Sequence, residues 1–264
     1  MSAAPSPTPD LPVTHVTRVA VTTVWSDPQS PRPVDAPVVA DDPDAVAWLA
    51  ALDAHPDDDE SGDGRLGLHG RVETQLLEGE PVLVTGTDAT GRWSHVLAPW
   101  QHSPKDRRGY PGWVPTAHLR ALEPGETVPE GPTASVDAES LDGPHPAVAL
   151  ARGHLGLPYL WSGTSPLGLD CSGLVLSVWR RLGGVVSRDA YAQADTAEAV
   201  ALDAVRAGDL YFFARPGRRI HHVGIVVGPG RMVHASETGG VLVEEELTQD
   251  RLDTLVAAGR FPLP

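Results

Sequence analysis

The run Gly168-Leu169-Asp170-Cys171-Ser172-Gly173-Leu174 carries the only cysteine of a 264-residue chain, and its reading decides the fold around it. Beyond it, apolar residues recur at Leu174, Val175, Val178, Trp179 and Leu182, the spacing of one buried helical face. Gly183-Gly184 then ends the pattern, as glycine does just past a helix C-terminus. Asp170 is a good N-cap residue, so the pattern predicts a helix with Cys171 in its first turn. There the unpaired amides and the helix dipole favour a thiolate over a thiol. A lone cysteine is commonly an inert core residue, and the spacing to Leu174 does not exclude burial. A nucleophile needs a base beside it.

The base comes from His221-His222-Val223-Gly224-Ile225-Val226-Val227, which alternates as a strand, with His222, Gly224 and Val226 on one face. Gly228-Pro229-Gly230 is a turn signal, and Arg231-Met232-Val233-His234-Ala235 reads as the returning strand. A hairpin closing over Gly228 sets His222 and His234 directly opposite each other, where one imidazole orients the other. Thiol, base and orienting group together form an activated nucleophile. Gly224 leaves that face open for a substrate or for the cysteine helix, and His221, facing the other way, is structural or at the surface. A Cys-His-His zinc site is the rival reading of the same three side chains. The helix-start cysteine and the lack of a further ligand pattern favour the thiol chemistry, so no metal and no cofactor is expected.

These residues carry a resemblance. Leu157-Pro158-Tyr159-Leu160-Trp161-Ser162-Gly163, Asp170-Cys171-Ser172-Gly173-Leu174, Ser187-Arg188-Asp189-Ala190 with Gln193, Ala207 to Phe213, His222-Val223-Gly224-Ile225 and Val233-His234-Ala235 fall in order. Together they resemble the NlpC-type, papain-like cysteine peptidases of bacterial cell-wall metabolism. The resemblance implies an α+β, papain-like catalytic domain over residues 145–264. It also implies hydrolysis of the amide between γ-D-glutamate and a diamino acid, meso-diaminopimelate or L-lysine. Cys171 would be the nucleophile, His222 the base and His234 the orienting residue, with Tyr159 shaping the oxyanion and substrate site. Ser162-Gly163 departs from the two glycines of many relatives, a difference expected to touch loop detail and not chemistry.

The front of the chain reads differently. Val19–Trp25, Glu80–Gly86, Trp93–Leu97 and Gly109–Pro115 are short β segments between turn residues. Residues 13–122 resemble an all-β, bacterial SH3-like barrel through Gln75, Gly79-Glu80, Gly91-x-Trp93 and Gly112-Trp113-Val114. An acidic insertion spans about 35–66, with one short helix at Asp44–Leu52. Residues 1–12 read as a disordered N-terminus and 123–144, rich in Pro, Gly and Glu, as a linker. The net charge of −15 gathers in the front, where Asp57-Asp58-Asp59-Glu60 reads as a solvated run. That sign disfavours nucleic acid, and no apolar run is long enough to span a membrane. Neither a basic n-region nor an apolar h-region marks a signal peptide, so a cytoplasmic enzyme without an obligate protein partner is expected.

SH3-like modules joined to this catalytic type resemble dipeptidyl-peptidases of wall recycling, whose substrates are peptidoglycan-derived peptides with a free N-terminal L-alanine. That resemblance gives Asp189, eighteen residues after the cysteine, as the group binding the ammonium, with Glu73 and Tyr110 closing the pocket from the SH3-like side. The competing role for Asp189 is a salt bridge with Arg188 or another arginine. Trp161, Asp170 and Ser172 would line the γ-glutamyl pocket. Two alternatives stand beside it: an endopeptidase acting on intact peptidoglycan, and a non-catalytic SH3-like module that only binds peptide.

Overall fold

The computed structural model describes residues 13–55, 62–143 and 145–264. The expected disordered N-terminus, 1–12, and the acidic run Asp57–Glu60 lie outside the described residues. The front half is a seven-stranded antiparallel sheet in the order β3-β2-β6-β5-β4-β1-β7. Its strands are β1 (His15–Thr17), β2 (Val21–Trp25), β3 (Val72–Leu77), β4 (Pro81–Thr87), β5 (Trp93–Ala98), β6 (Tyr110–Pro115) and β7 (Leu119–Ala121). Val24, Leu76, Val82, Val96 and Val114 form its core. Gly112 allows β6 to press on β2, because a Cβ there would fall 2.4 Å from Val24 Cγ1.

The four β segments read from the sequence fall in β2, β4, β5 and β6, whereas β3 was not read as a strand. Its side chains are covered on both faces, so no alternation marks it: Thr74, Gln75 and Leu76 are each at most 1% exposed. The insertion holds α1 (Ala36–Val39) and α2 (Ala45–Asp53), the latter capped by Asp44 as its sequence suggests. Its described part packs Val38, Trp48 and Leu52 with Leu68, Trp25, Val72 and Leu160. Asp35 is fully buried there, gripped by Arg32 and by the Trp48 indole N–H at 2.8 Å.

The back half contains α3 (Pro146–Arg152), the small ribbon β8 (Thr164–Ser165) and β9 (Gly168–Leu169), α4 (Cys171–Arg181) and α5 (Ala190–Thr196). Behind them stands a six-stranded sheet in the order β10-β15-β11-β12-β13-β14. Its strands are β10 (Glu198–Val200), β11 (Leu210–Phe213), β12 (His222–Gly228), β13 (Arg231–Ser236), β14 (Val241–Glu246) and β15 (Leu255–Arg260), with α6 (Gln249–Leu252) before the last. The apolar face of α4 packs Leu174, Val175, Val178 and Trp179 on Val223, Ile225, Val233 and Ala235, the burial that its spacing demands. The segment before α3 is strapped along this helix: Ser135 N–H donates to Arg181 O at 2.9 Å, and Val136, Ala138 and Leu141 pack on the same core.

The two halves meet through buried polar groups. Gln75 Oε1 accepts from Thr164 N–H at 3.2 Å and from the Ser165 hydroxyl at 2.9 Å. Arg180 pairs with Glu80 at 2.9 Å. Arg188, 1% exposed, donates from Nε to Thr74 Oγ1 at 2.8 Å and forks onto Asp170 at 3.1 and 2.7 Å. Losing one member of such a pair leaves the other charge buried alone. Arg188→Leu should therefore cost about 3–5 kcal/mol of stability in urea denaturation; a change below about 1 kcal/mol would show that the joint does not depend on the guanidinium.

Candidate active site

The site begins with the entry to α4. Asp170 is extended, at φ −89°, and its Oδ1 accepts from Gly173 N–H at 2.6 Å and from the Ser172 hydroxyl at 3.1 Å. Gly173 must be glycine for this helix start to abut the preceding loop, because a Cβ would fall 1.9 Å from Gly163 O. In that loop Ser162 has φ 60°, the left-handed region that favours glycine. Its hydroxyl donates to Val72 O at 2.9 Å, so the serine trades backbone ease for a tie to the front half.

Cys171 is 7% exposed. Its Sγ lies 3.9 Å from His221 O, and Val223 N–H points at it. Burial, and then the charge of Asp170, push the thiol up to about 12, against the opposing pull of Val223 N–H and Arg188. Burial thus works against the thiolate that the helix start favours. Burial also holds His222 well below its ordinary 6.5, with the neighbouring His234 and Arg251 adding to the effect. Burial thus opposes the charged form of both groups.

The hairpin differs in register from the sequence expectation. Gly228 pairs with Arg231, but a bulge before it sets Ile225 opposite Val233. His222 and His234 are thus diagonal neighbours, not directly opposed, and their rings meet edge to face with centroids 4.9 Å apart. Gly224 serves the meeting itself: a Cβ there would strike Met232 Sδ at 2.4 Å and crowd His234 Cβ at 3.3 Å. It clears space for those side chains, not for substrate or α4.

A group unread in the sequence completes the line. His222 Nε2 and His234 Nδ1 are 2.9 Å apart, and His234 Nε2 lies 2.9 Å from Glu245 Oε1. A carboxylate only accepts, so His234 carries its proton on Nε2. Its Nδ1 then accepts from His222 Nε2–H, which leaves Nδ1 as the basic nitrogen of His222. Glu245 sits two residues from Val243, the partner of His234 on β14, so the relay runs diagonally over three strands. No local motif marks it; only the register does.

A cleft of about 530 Å³ is lined by nine of the ten residues singled out in the sequence: Cys171, His222, Tyr159, Trp161, Asp170, Ser172, Asp189, Glu73 and Tyr110. His234, fully buried, stands behind His222. His221, expected to be structural or at the surface, also lines the cleft. Asp170 has its oxygens taken by Arg188 and the α4 cap, so Arg188 forks onto it and not onto Asp189. Tyr110 Oη is instead 3.1 Å from Asp189 Oδ1 and 3.1 Å from Glu73 Oε2. Burial, followed by these two carboxylates, raises the phenol, which stays a neutral donor. Burial and the nearby Cys171 do the same for Tyr159. Trp161 stacks on His69 at 3.8 Å, and its buried Nε1 has no hydrogen-bond partner among the described residues.

A helix-start thiol set against an antiparallel sheet that supplies imidazole and an orienting chain defines a cysteine peptidase of papain-like build. The comparisons agree: residues 156–259 match the NlpC/P60 family. The γ-D-glutamyl-L-lysine dipeptidyl-peptidase of Bacillus subtilis (strain 168) is 33% identical over 278 residues, covering 85% of this chain and 90% of that one. The enzyme of the same name from Bacillus cereus (strain ATCC 10987 / NRS 248) is 29% identical over 281 residues, covering 82% and 81%. A crystal structure of an NlpC/P60 family protein from Bacillus cereus ATCC 10987 matches with a TM-score of 0.79 at 25% identity, over 95% of this chain and all of that one. The chain belongs to the NlpC/P60 family of cysteine peptidases.

Two measurements follow from the site. With the thiol raised and His222 lowered, iodoacetamide should alkylate Cys171 slowly at neutral pH and ever faster into the alkaline range, while the acid limb of kcat/KM lies below 6.5. A neutral-pH plateau in alkylation would reveal a thiolate–imidazolium pair instead. Glu245→Ala should lower kcat about ten- to a hundredfold, part of the usual acid–base contribution, with little change in KM; an unaltered kcat would remove Glu245 from the relay.

Proposed function

We propose that this enzyme is a dipeptidyl-peptidase that cleaves the amide between γ-D-glutamate and a diamino acid, releasing L-Ala-γ-D-Glu from wall-derived peptides with a free N-terminus. One observation carries the reading: two carboxylates, Glu73 and Asp189, converge on the single hydroxyl of Tyr110 at one end of the cleft. One phenolic proton can serve only one of them, and the Lys105 ammonium bonded to Glu73 marks this end of the cleft as a place that accepts a cation. The substrate's terminal ammonium is such a group, whereas an acylated amine carries no charge to offer these carboxylates. Glu73 and Tyr110 come from β3 and β6, so the front sheet, which we read as SH3-like, walls off this end and limits the enzyme to short peptides. Both named relatives are dipeptidyl-peptidases acting at a γ-D-glutamyl-L-lysine bond. Such substrates suit the recycling of wall peptides in the cytoplasm.

In this reading the chemistry starts from a neutral thiol and a neutral imidazole. His222 Nδ1 takes the thiol proton as Sγ attacks the γ-carbonyl, so charge separates only when the substrate is seated. Backbone amides at the start of α4 and the Tyr159 hydroxyl can donate to the oxyanion. His222 then protonates the leaving amine as the C–N bond breaks, and later draws a proton from the water that hydrolyses the thioester. Asp170 and Arg188 hold Cys171 and Ser172 in place without touching the reacting bond.

L-Ala-γ-D-Glu-L-Lys and its N-acetylated form, each incubated with wild type and with Cys171→Ala, are the direct test by mass spectrometry. Release of L-Ala-γ-D-Glu from the free peptide alone, abolished in the variant, is the expected result. Equal cleavage of both peptides would discard the amine reading, and soluble fragments from intact sacculi would move the assignment to a wall endopeptidase.

A further inference from the structure

Lysine and arginine together number 20 in this chain, and Lys105 alone is a lysine. It stands in the segment between β5 and β6 and reaches into the cleft. Its ammonium bonds the Glu73 carboxylate, lies 3.0 Å from Tyr110 Oη and stands 4.6 Å from the centre of that ring. Wherever else the chain uses a basic side chain it uses arginine, whose planar fork grips a carboxylate in two places. Only lysine presents a compact primary ammonium, the same group that a free N-terminus presents. The pair is accessible as well: the side chains of Lys105 and Glu73 are 39% and 24% exposed. The four-carbon stem can therefore swing its head to water without unfolding anything.

We propose that Lys105 is the resident occupant of the amine seat, a specificity-determining residue that the substrate's ammonium displaces. This rests on the amine-reading function above and adds to it how the seat behaves when empty. With Lys105 in place, Glu73 and Tyr110 keep their binding geometry, and Asp189 waits beside them as the second acceptor. Entry of a free amine exchanges one ammonium for another, so the pocket's charge is the same before and after. An N-acylated peptide offers no cation to exchange and leaves Lys105 blocking the seat. A partly exposed pair biases the equilibrium toward the occupied seat by no more than about fivefold, a hindrance small enough for turnover and large enough to measure.

Because Lys105 is the chain's one ε-amine, acetylation by an amine-directed reagent reads it directly, with the α-amino group of the same chain as internal reference. The ratio of the two cancels reagent consumed by added peptide. L-Ala-γ-D-Glu should raise labelling of Lys105 about three- to fivefold, whereas N-acetyl-L-Ala-γ-D-Glu leaves it unchanged. A fall, or no change, with the free dipeptide would overturn the proposal. In kinetics on L-Ala-γ-D-Glu-L-Lys, Lys105→Met should lower KM about three- to fivefold. Lys105→Arg should raise KM, because the two-pronged grip on Glu73 is harder to displace. A higher KM in Lys105→Met, or wild-type KM in Lys105→Arg, would make Lys105 a fixed wall or a mere diffuse charge and end the proposal. Equal turnover of free and N-acetylated tripeptide by wild type would instead sink the amine reading itself.

Discussion

The guanidinium of Arg188 has its nitrogens in both halves of the molecule at once. Nε is held by Thr74 of the front sheet, and the other two nitrogens by Asp170 and by Ser172 at 2.8 Å. Asp170 is the cap of α4, so the charge that joins the halves also sets where the helix begins, and with it where the thiol stands. A buried pair of this kind gains little net stability over an apolar substitute, but it tolerates no partial arrangement. Cleft geometry is thereby tied to the docking of the front sheet, which supplies Glu73 and Tyr110 to one wall while the back half supplies thiol and base to the other.

Dryness governs the chemistry of that cleft. The same burial that raises Cys171 lowers His222, so each group resists charging alone. In the proposed mechanism a joint proton transfer, with a substrate present to accept the sulfur's electrons and an oxyanion site to receive the developing charge, avoids a bare ion in a poor solvent. The diagonal line from His222 through His234 to Glu245 supports this by fixing which nitrogen is basic. It does so with a partly exposed carboxylate at the far end and fully buried His234 in the middle.

Much of this was legible in the chain. Helix α4 declared itself by apolar spacing, cap and glycine stop, and nine of the ten residues singled out do line one cleft. What stayed hidden depended on packing between distant segments. Strand β3 shows no alternation because both of its faces are covered. The bulge before Gly228 changed which residue lies across from His234, an offset that turn composition alone does not reveal. Glu245 is one acid among three in Glu244-Glu245-Glu246, and only the strand register sets it apart. Cys171 carried the local signature of a thiolate, but dipole and cap act over one turn whereas burial is set by the whole fold. Adjacency in sequence points Arg188 to Asp189, whereas its partner in the fold lies eighteen positions earlier in the chain.

The seam along β3 also fixes an order of events during synthesis. Gln75 bonds to residues 89 and 90 positions later in the chain, and Thr74 to one 114 positions later. The front sheet leaves the ribosome first, yet its inner edge lacks its full set of partners until Arg188 has emerged, and the relay waits longer still for Glu245. Contacts this far apart close late. A nascent or truncated chain can therefore hold a folded sheet while lacking a working cleft, and competence to cut arrives in one step, when nearly the whole polypeptide is present.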